Sequence, residues 1–177
     1  METLLRIAAV AVGFCMMPNV AAADTFMLIN GIAGDSTDTA HGSWIRVNSL
    51  SWGVNMPTGT LSSGSPTVGR ATSDKLNLSI PTGIWTNKLL ATLVRGTLVP
   101  QVVIDHVNPN GRTSYRLTLG NVLLTRYGNS TSASNVPMEE FDIAIGSYRA
   151  EFYFVAADGR VTTAAGGWNF TTNTAIH

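Results

Sequence analysis

The sequence predicts a mainly β protein with a single helix, and three observations carry that prediction. Apolar residues alternate with polar ones over most of the chain. One stretch alone has helical spacing, and Gly, Ser and Thr crowd the segments between the apolar runs. At 177 residues the chain suits one domain with a sizeable core. Charged residues make up 12% and the formal net charge is zero. That balance excludes the basic footprint of a nucleic-acid binder or a polybasic membrane-surface protein, and it leaves little repulsion against self-association.

The first element is expected to be removed. "METLLR" is a short head carrying Arg6, "IAAVAVGFCMM" is an apolar stretch of signal-peptide length, and Ala21 to Ala23 supply the small residues of a cleavage site. We read residues 1–23 as a signal peptide cleaved after Ala23, with the mature domain spanning 24–177. The apolar stretch is too short for a comfortable bilayer anchor, so the product is expected to be periplasmic or secreted, with no integral membrane anchor after cleavage. The single cysteine, Cys15, lies in this segment. The mature chain therefore has no disulfide, no thiol catalysis and no Cys-based zinc site.

Strands follow in order. "TFMLING" (25–31) is a short apolar strand ending at Gly31. In "SWIRVNSLSWGV" (43–54), Ile45 and Val47 share one face and Leu50 and Trp52 the other, a phase change that predicts a bulge or burial on both faces. The segment 55–70 has no periodicity and is rich in Gly, Ser, Thr and Pro, which predicts a long exposed loop. "ATSDKLNLSI" (71–80) resumes a strand with Leu76, Leu78 and Ile80 on one face. After Pro81, Trp85, Leu89 and Leu93 line up at helical spacing with Leu90 and Val94 beside them; Arg95 complements the helix C-terminus and Gly96 is a natural stop. "VPQVVIDHV" and "RTSYRLTLGNVLLTRY" flank "NPNG", a hairpin signal. A second loose loop is expected at 128–137. Two strands then follow over 138–161, the first alternating at Phe141, Ile143 and Ile145, the second at Tyr148, Ala150, Phe152 and Phe154.

Little in the sequence points to chemistry. Asp35, Asp38 and His41 have the spacing D-x-x-D-x-x-H, which could offer two oxygens and one nitrogen to a metal, but local turns made by Asp and Ser, with His41 packed at the loop end, account for it better. Asp105 and His106 are adjacent in a strand, face opposite sides and cannot pair as a dyad. Glu139 and Glu140 read as solvated rather than as a catalytic pair. No serine sits in a nucleophile motif and no Gly-rich loop carries a phosphate-binding lysine. We expect no enzyme activity and no cofactor.

Two stretches point to a family. In "GDSTDTAHGSWIRVNSLSWGV", the residues Gly34, Asp35, Ser36, Asp38, His41, Trp44, Ile45, Leu50, Ser51, Trp52 and Gly53 resemble the haemolysin-coregulated protein (Hcp) family, the tube-forming proteins of type VI secretion. "GGWNFTTNTAI" resembles that family's closing strand at Gly167, Trp168, Asn169, Thr172 and Asn173. The resemblance covers about residues 25–176. It implies an antiparallel β-barrel of two sheets with the helix packed on its side. It also implies homo-hexameric rings that stack into a tube, with Gly34, Asp35, Ser36, Asp38, His41, Trp44, Trp52, Gly53, Gly167 and Trp168 as family-motif and candidate self-assembly positions. Partners implied are other copies of the chain and secretion-machine or effector proteins; no nucleic acid is implied. Trp44, Trp52 and Trp168 suit packing better than ligand contact. The signal peptide sets the chain apart, because members of the family are ordinarily loaded from the cytoplasm.

Other classes stay open on the sequence. A monomeric secreted binding module or effector-carrier of the same fold fits the same residues. A small outer-membrane β-barrel fits the signal peptide and alternating strands but not the helix. A secreted metal-dependent hydrolase would need Asp35, Asp38 and His41 to converge.

Overall fold

The computed structural model describes residues 22–61, 63–133 and 135–177. The expected signal peptide, save Ala22 and Ala23, lies outside them. The first half holds β1 (Asp24–Ile29), β2 (Ile45–Val47), β3 (Ser49–Ser51), β4 (Val54–Asn55), β5 (Thr58–Thr60), β6 (Pro66–Val68), β7 (Thr72–Ser73) and β8 (Leu76–Pro81). The second half holds α1 (Thr86–Val94), β9 (Val99–Val107), β10 (Thr113–Ser132), β11 (Asn135–Val155), β12 (Val161–Asn169) and β13 (Thr174–Ile176).

One antiparallel sheet of nine strands organises the chain, in the order β13-β12-β11-β10-β9-β1-β2, with β8 joining β11 and β3 joining β8. The sheet folds back on itself at both ends. On one side, Asn48 separates β2 from β3 and donates its backbone N–H to the Ser79 carbonyl at 2.8 Å. The short segment 45–51 thus carries the pairing from β1 round to β8. This is the phase change seen in the sequence: Ile45 and Val47 are buried, and Leu50 and Trp52 pack on the same core from the far side of the turn.

On the other side, β10 and β11 bend together. Leu117 and Leu119 are buried before the bend and Val122 and Leu124 after it, so the inward parity of β10 switches at Asn121. Asn121 has a left-handed φ of 52°. Opposite it, a Cβ on Gly146 would stand 2.8 Å from the Asn121 Cβ. Glycine lets the two strands turn the corner in contact. The two expected sheets are the two halves of this folded one.

In the second half of the chain the strands are longer than the sequence suggests. Residues 138–155 belong to one strand, β11, rather than two; the parity change that looked like a break is the corner at Gly146. The expected loop at 128–137 is the end of the β10–β11 hairpin, paired out to Ser132 and Asn135. Its polar sequence hides it because a ladder is made of backbone groups and needs no apolar alternation once both faces meet water. The segment 55–70 is exposed as expected, but it is not irregular. β4 pairs with β7 and β5 with β6, forming a narrow ribbon.

The core lies inside the folded sheet, with Met27, Ile45, Leu76, Ile80, Ile104, Leu117, Leu119, Phe141 and Ile143 buried there. The helix α1 packs Trp85 and Leu89 onto it. Burying each of these large side chains contributes about 2–3 kcal/mol. Gly83 lies against the Trp85 ring so closely that any Cβ would overlap it. Gly96, at φ 59°, ends the helix, donating its N–H to the Leu93 carbonyl at 2.9 Å. Val94, grouped with the apolar face on spacing alone, is 80% exposed.

Candidate functional site

The opening motif builds a cover over the outer face of the sheet. Gly34 and Ser36 donate their N–H groups to the Ser43 and Trp44 carbonyls at 2.7 and 3.1 Å, and Ser43 N–H returns to the Ser36 carbonyl at 2.8 Å. Gly34 meets the Trp44 backbone with no room for a Cβ. The loop 34–44 is thereby closed on itself. Within it, the Asp38 carboxylate accepts the N–H groups of Ala40 and His41 at 2.9 and 2.8 Å. Ser36 Oγ accepts the Asp38 N–H at 3.2 Å. These are turn contacts of the kind Asp and Ser make locally.

Beneath the loop, His41 is buried. Its ring stacks on Phe26 with centroids 4.7 Å apart, and Trp44 meets its edge at 4.8 Å. His41 Nδ1 lies 2.8 Å from Asp38 Oδ1, and Nε2 lies 3.1 Å from Asp105 Oδ2. Arg116 holds Asp105 with two bonds, Nε to Oδ1 at 2.7 Å and Nη2 to Oδ2 at 2.6 Å. Asp105 has no exposed side-chain surface. Its hydrogen bond raises the pKa of the Arg116 guanidinium further above its already high value. The hydrogen bond from His41 lowers that of the Asp38 carboxyl.

The sequence grouped Asp35, Asp38 and His41; the structure joins Asp38 and His41 and adds Asp105 and Arg116, which the sequence reading missed. The available signals were a lone aspartate in the apolar run "VVIDHV" and an arginine on the neighbouring hairpin strand. Asp35 is not part of the group; it lines a surface depression with Asp24 and Arg46. Among the described residues, no three His, Cys, Asp or Glu side chains are placed to hold a metal. His106 faces away from Asp105, as alternation requires, and its Nδ1 lies 3.0 Å from Thr25 Oγ1.

Glu139 departs from expectation. It is fully buried rather than solvated, because it falls on the inward parity of β11 with Phe141 and Ile143. Tyr127 donates its hydroxyl to Glu139 Oε1 at 3.5 Å, while Oε2 has no partner among the described residues. Glu140, its neighbour, is exposed as expected.

The remaining motif positions also position backbone. Trp52 packs edge-on to Tyr148 at 4.9 Å. A Cβ on Gly53 would stand 2.9 Å from Asp74 Oδ2. Gly167 lies against the Tyr148 carbonyl with no space for a side chain, and Trp168 pairs across from Tyr148. Asn169 Oδ1 accepts the N–H groups of Thr171 and Thr172 at 2.9 and 3.1 Å, and Asn173 takes a φ of 57°. The closing motif is the chemistry of the β12–β13 turn.

A different kind of site lies where β11 and β12 run on past the barrel. Ala150 is buried, but Phe152 and Phe154, next on the same face, are 46% and 59% exposed. Tyr115 stacks against Phe152 at 4.8 Å, and burial raises its phenol pKa, opposed by a hydrogen bond with Trp52. On the other face, Val155 and its cross-strand partner Val161 are also exposed. β12 exposes every residue from Val161 to Gly166, and β13 pairs only with 167–169, so among the described residues that edge has no neighbour. The ribbon 54–69, which carries no charge, is a second exposed edge.

The fold is one antiparallel sheet folded over a single core, with a helix packed at its side. The family described as type VI secretion system effector, Hcp, matches residues 26–152, and the chain belongs to it. Among solved structures, Hcp1 from Salmonella typhimurium is similar at a TM-score of 0.75 and 20% identity, covering 88% of this chain and 99% of that one. A structure described as a type six secretion system protein has a TM-score of 0.79 at 24% identity, covering 88% and 100%. The secreted protein Hcp3 from Pseudomonas aeruginosa has a TM-score of 0.53 at 14% identity, covering 81% and 97%. No curated protein matches the chain. Among the described residues, no helix is long and apolar enough to cross a membrane.

Proposed function

We propose that the mature chain, residues 24–177, is a structural, self-assembling protein that forms homo-hexameric rings able to stack into a tube. The observation that carries this reading is the unpartnered end of the β11–β12 ribbon. Phe152, Phe154, Val155 and Val161 are about half exposed beside a strand edge that has no neighbour among the described residues. An uncovered, uncharged edge of this kind is a template for pairing with another chain. A second copy supplies what is missing without a new surface having to be invented, and closed rings are the way such contacts end. The 54–69 ribbon and the loop carrying Gly34, Asp35, Ser36, Asp38 and His41 are the further contact surfaces we assign, within and between rings. Trp44, Trp52, Gly53, Gly167 and Trp168 act by holding those surfaces in shape.

The role is mechanical rather than enzymatic. The reading of residues 1–23 as a signal peptide supports assembly in the periplasm or outside the cell. The test is native mass spectrometry with negative-stain microscopy of residues 24–177 over a concentration series. Hexamers, with rings or tubes on the grid, are expected. A protein that stays monomeric at high concentration overturns the assembly reading and moves the function to a monomeric binding module of the same fold.

A further inference from the structure

The buried chain Asp38–His41–Asp105–Arg116 poses a problem that a neutral imidazole cannot solve. Both ring nitrogens of His41 face carboxylate oxygens, at 2.8 and 3.1 Å. A neutral ring has one N–H and one lone pair, so one carboxylate would meet a lone pair; the imidazolium donates to both. With His41 charged, two carboxylates and two cations alternate and the group is neutral as a whole.

Few other charges reach the ring. Its own loop contributes Asp38, with Asp35 further out. From β1 comes Phe26, stacked on the ring, and Asp24 at the strand's start. From β2 comes Arg46, over the Phe26 ring at 5.9 Å and 3.6 Å from Asp24. β9 contributes Asp105, β10 Arg116, and β11 Glu151, which sits near Arg116 and is itself paired with Arg149.

The two carboxylates are not equally free to leave. Asp105 has no exposed side-chain surface and is gripped twice by Arg116. Asp38 has 38% of its side chain exposed and sits in the loop. A ring with a single N–H therefore keeps it on Asp105, and Asp38 turns to water. Asp38 also holds the Ala40 and His41 amides, so its departure loosens the turn.

We propose that His41 is a proton-operated latch: the protonated ring ties the 36–41 turn to the sheet through Asp38 and Asp105, and loss of that proton releases the turn. The latched form binds one more proton than the released form. By linkage, protection therefore falls as pH rises. The latch belongs to the single chain and stands whether or not rings form.

The experiment is amide hydrogen exchange on residues 24–177 between about pH 5 and about pH 8.5, a span that brackets histidine titration, with intrinsic rates removed. Protection of the Ala40 and His41 amides is expected to fall about tenfold or more across that range, the change that 1.4 kcal/mol produces. The Leu117 and Leu119 amides, in the core strand, keep theirs. In Asp38→Asn, which leaves the buried Asp105–Arg116 pair intact, the 40–41 amides are expected to be weakly protected at every pH. His41→Gln should give a flat profile, with the core amides reporting that it has folded. A pH-independent profile in the parent, or the parent's pH dependence persisting in Asp38→Asn or a folded His41→Gln, overturns the latch.

Discussion

At neighbouring positions of β10, the sheet presents two faces in opposite states. Arg116 points outward to a face on which polar groups are closed over: Asp105, His41 and Asp38 bond in series and the 34–44 loop covers them. Tyr115 points to the other face, where Phe152 and Phe154 continue the core beyond the strands that would cover it. On the closed face, buried polar groups are paired and the chain alone supplies every partner. On the open face, Tyr115 covers one side of Phe152, and the rest of Phe152 and most of Phe154 stay wet. The lesson is that the most recognisable motif residues serve the closed face and the fold, whereas the surface fit for another molecule is carried by residues with no motif at all.

The largest expected effect comes from breaking the closed face. Asp105→Ala leaves the buried His41 without an acceptor and the partly exposed Arg116 without its partner, which is expected to cost about 3 kcal/mol. Urea unfolding monitored by tryptophan fluorescence reads it directly. Gly167→Ala should cost less, about 1–3 kcal/mol, since the added methyl forces the β12 backbone off the Tyr148 carbonyl; a shift in thermal midpoint measures it.

Breaking the open face should leave the monomer folded. Replacing Phe152 and Phe154 together with Ser is expected to cost about 1–2 kcal/mol, mostly from the contact of the half-buried Phe152 with Tyr115, while the hexamer signal in native mass spectrometry disappears. A double variant that unfolds but still assembles when folded would reverse the roles given to the two faces.

Acid sharpens the contrast further. The Asp38 pKa is lowered, chiefly by its hydrogen bond with His41. A carboxyl of depressed folded pKa contributes stability above its unfolded value, and that contribution is lost as pH falls through the folded one. Asp38→Asn should therefore flatten the acid limb of stability against pH, measured by unfolding between about pH 5 and about pH 2, the span over which such carboxylates titrate. The smallest effect belongs to Val94→Glu. Its site is 80% exposed, and a change within about 0.5 kcal/mol is expected by thermal unfolding.

Much of this was legible from residue order. The helix, its stop at Gly96, the hairpin around "NPNG" and the inward parity of Leu76, Leu78 and Ile80 follow from local rules of spacing and turn chemistry. The two motif stretches sufficed to point to the family. Three features were not legible. The β10–β11 hairpin runs through 128–137 on polar residues, because a ladder exposed on both faces imposes no side-chain pattern. Glu139 is inward because parity along β11 outranks the general preference of carboxylates for water. Val94 is outward because α1 covers the core with a narrower stripe than its apolar residues would allow.

The sequence by itself determined the strands with apolar alternation, the helix and its stop at Gly96, and the turn at "NPNG". Those outcomes depend on neighbours a few positions apart. Only the tertiary structure decided that His41 meets Asp105, 64 positions away, and that Phe152 and Phe154 lie beyond the cover of the barrel. Both follow from strand register and strand length, which set where a side chain ends up by summing small backbone choices along the whole sheet. No local pattern carries that sum.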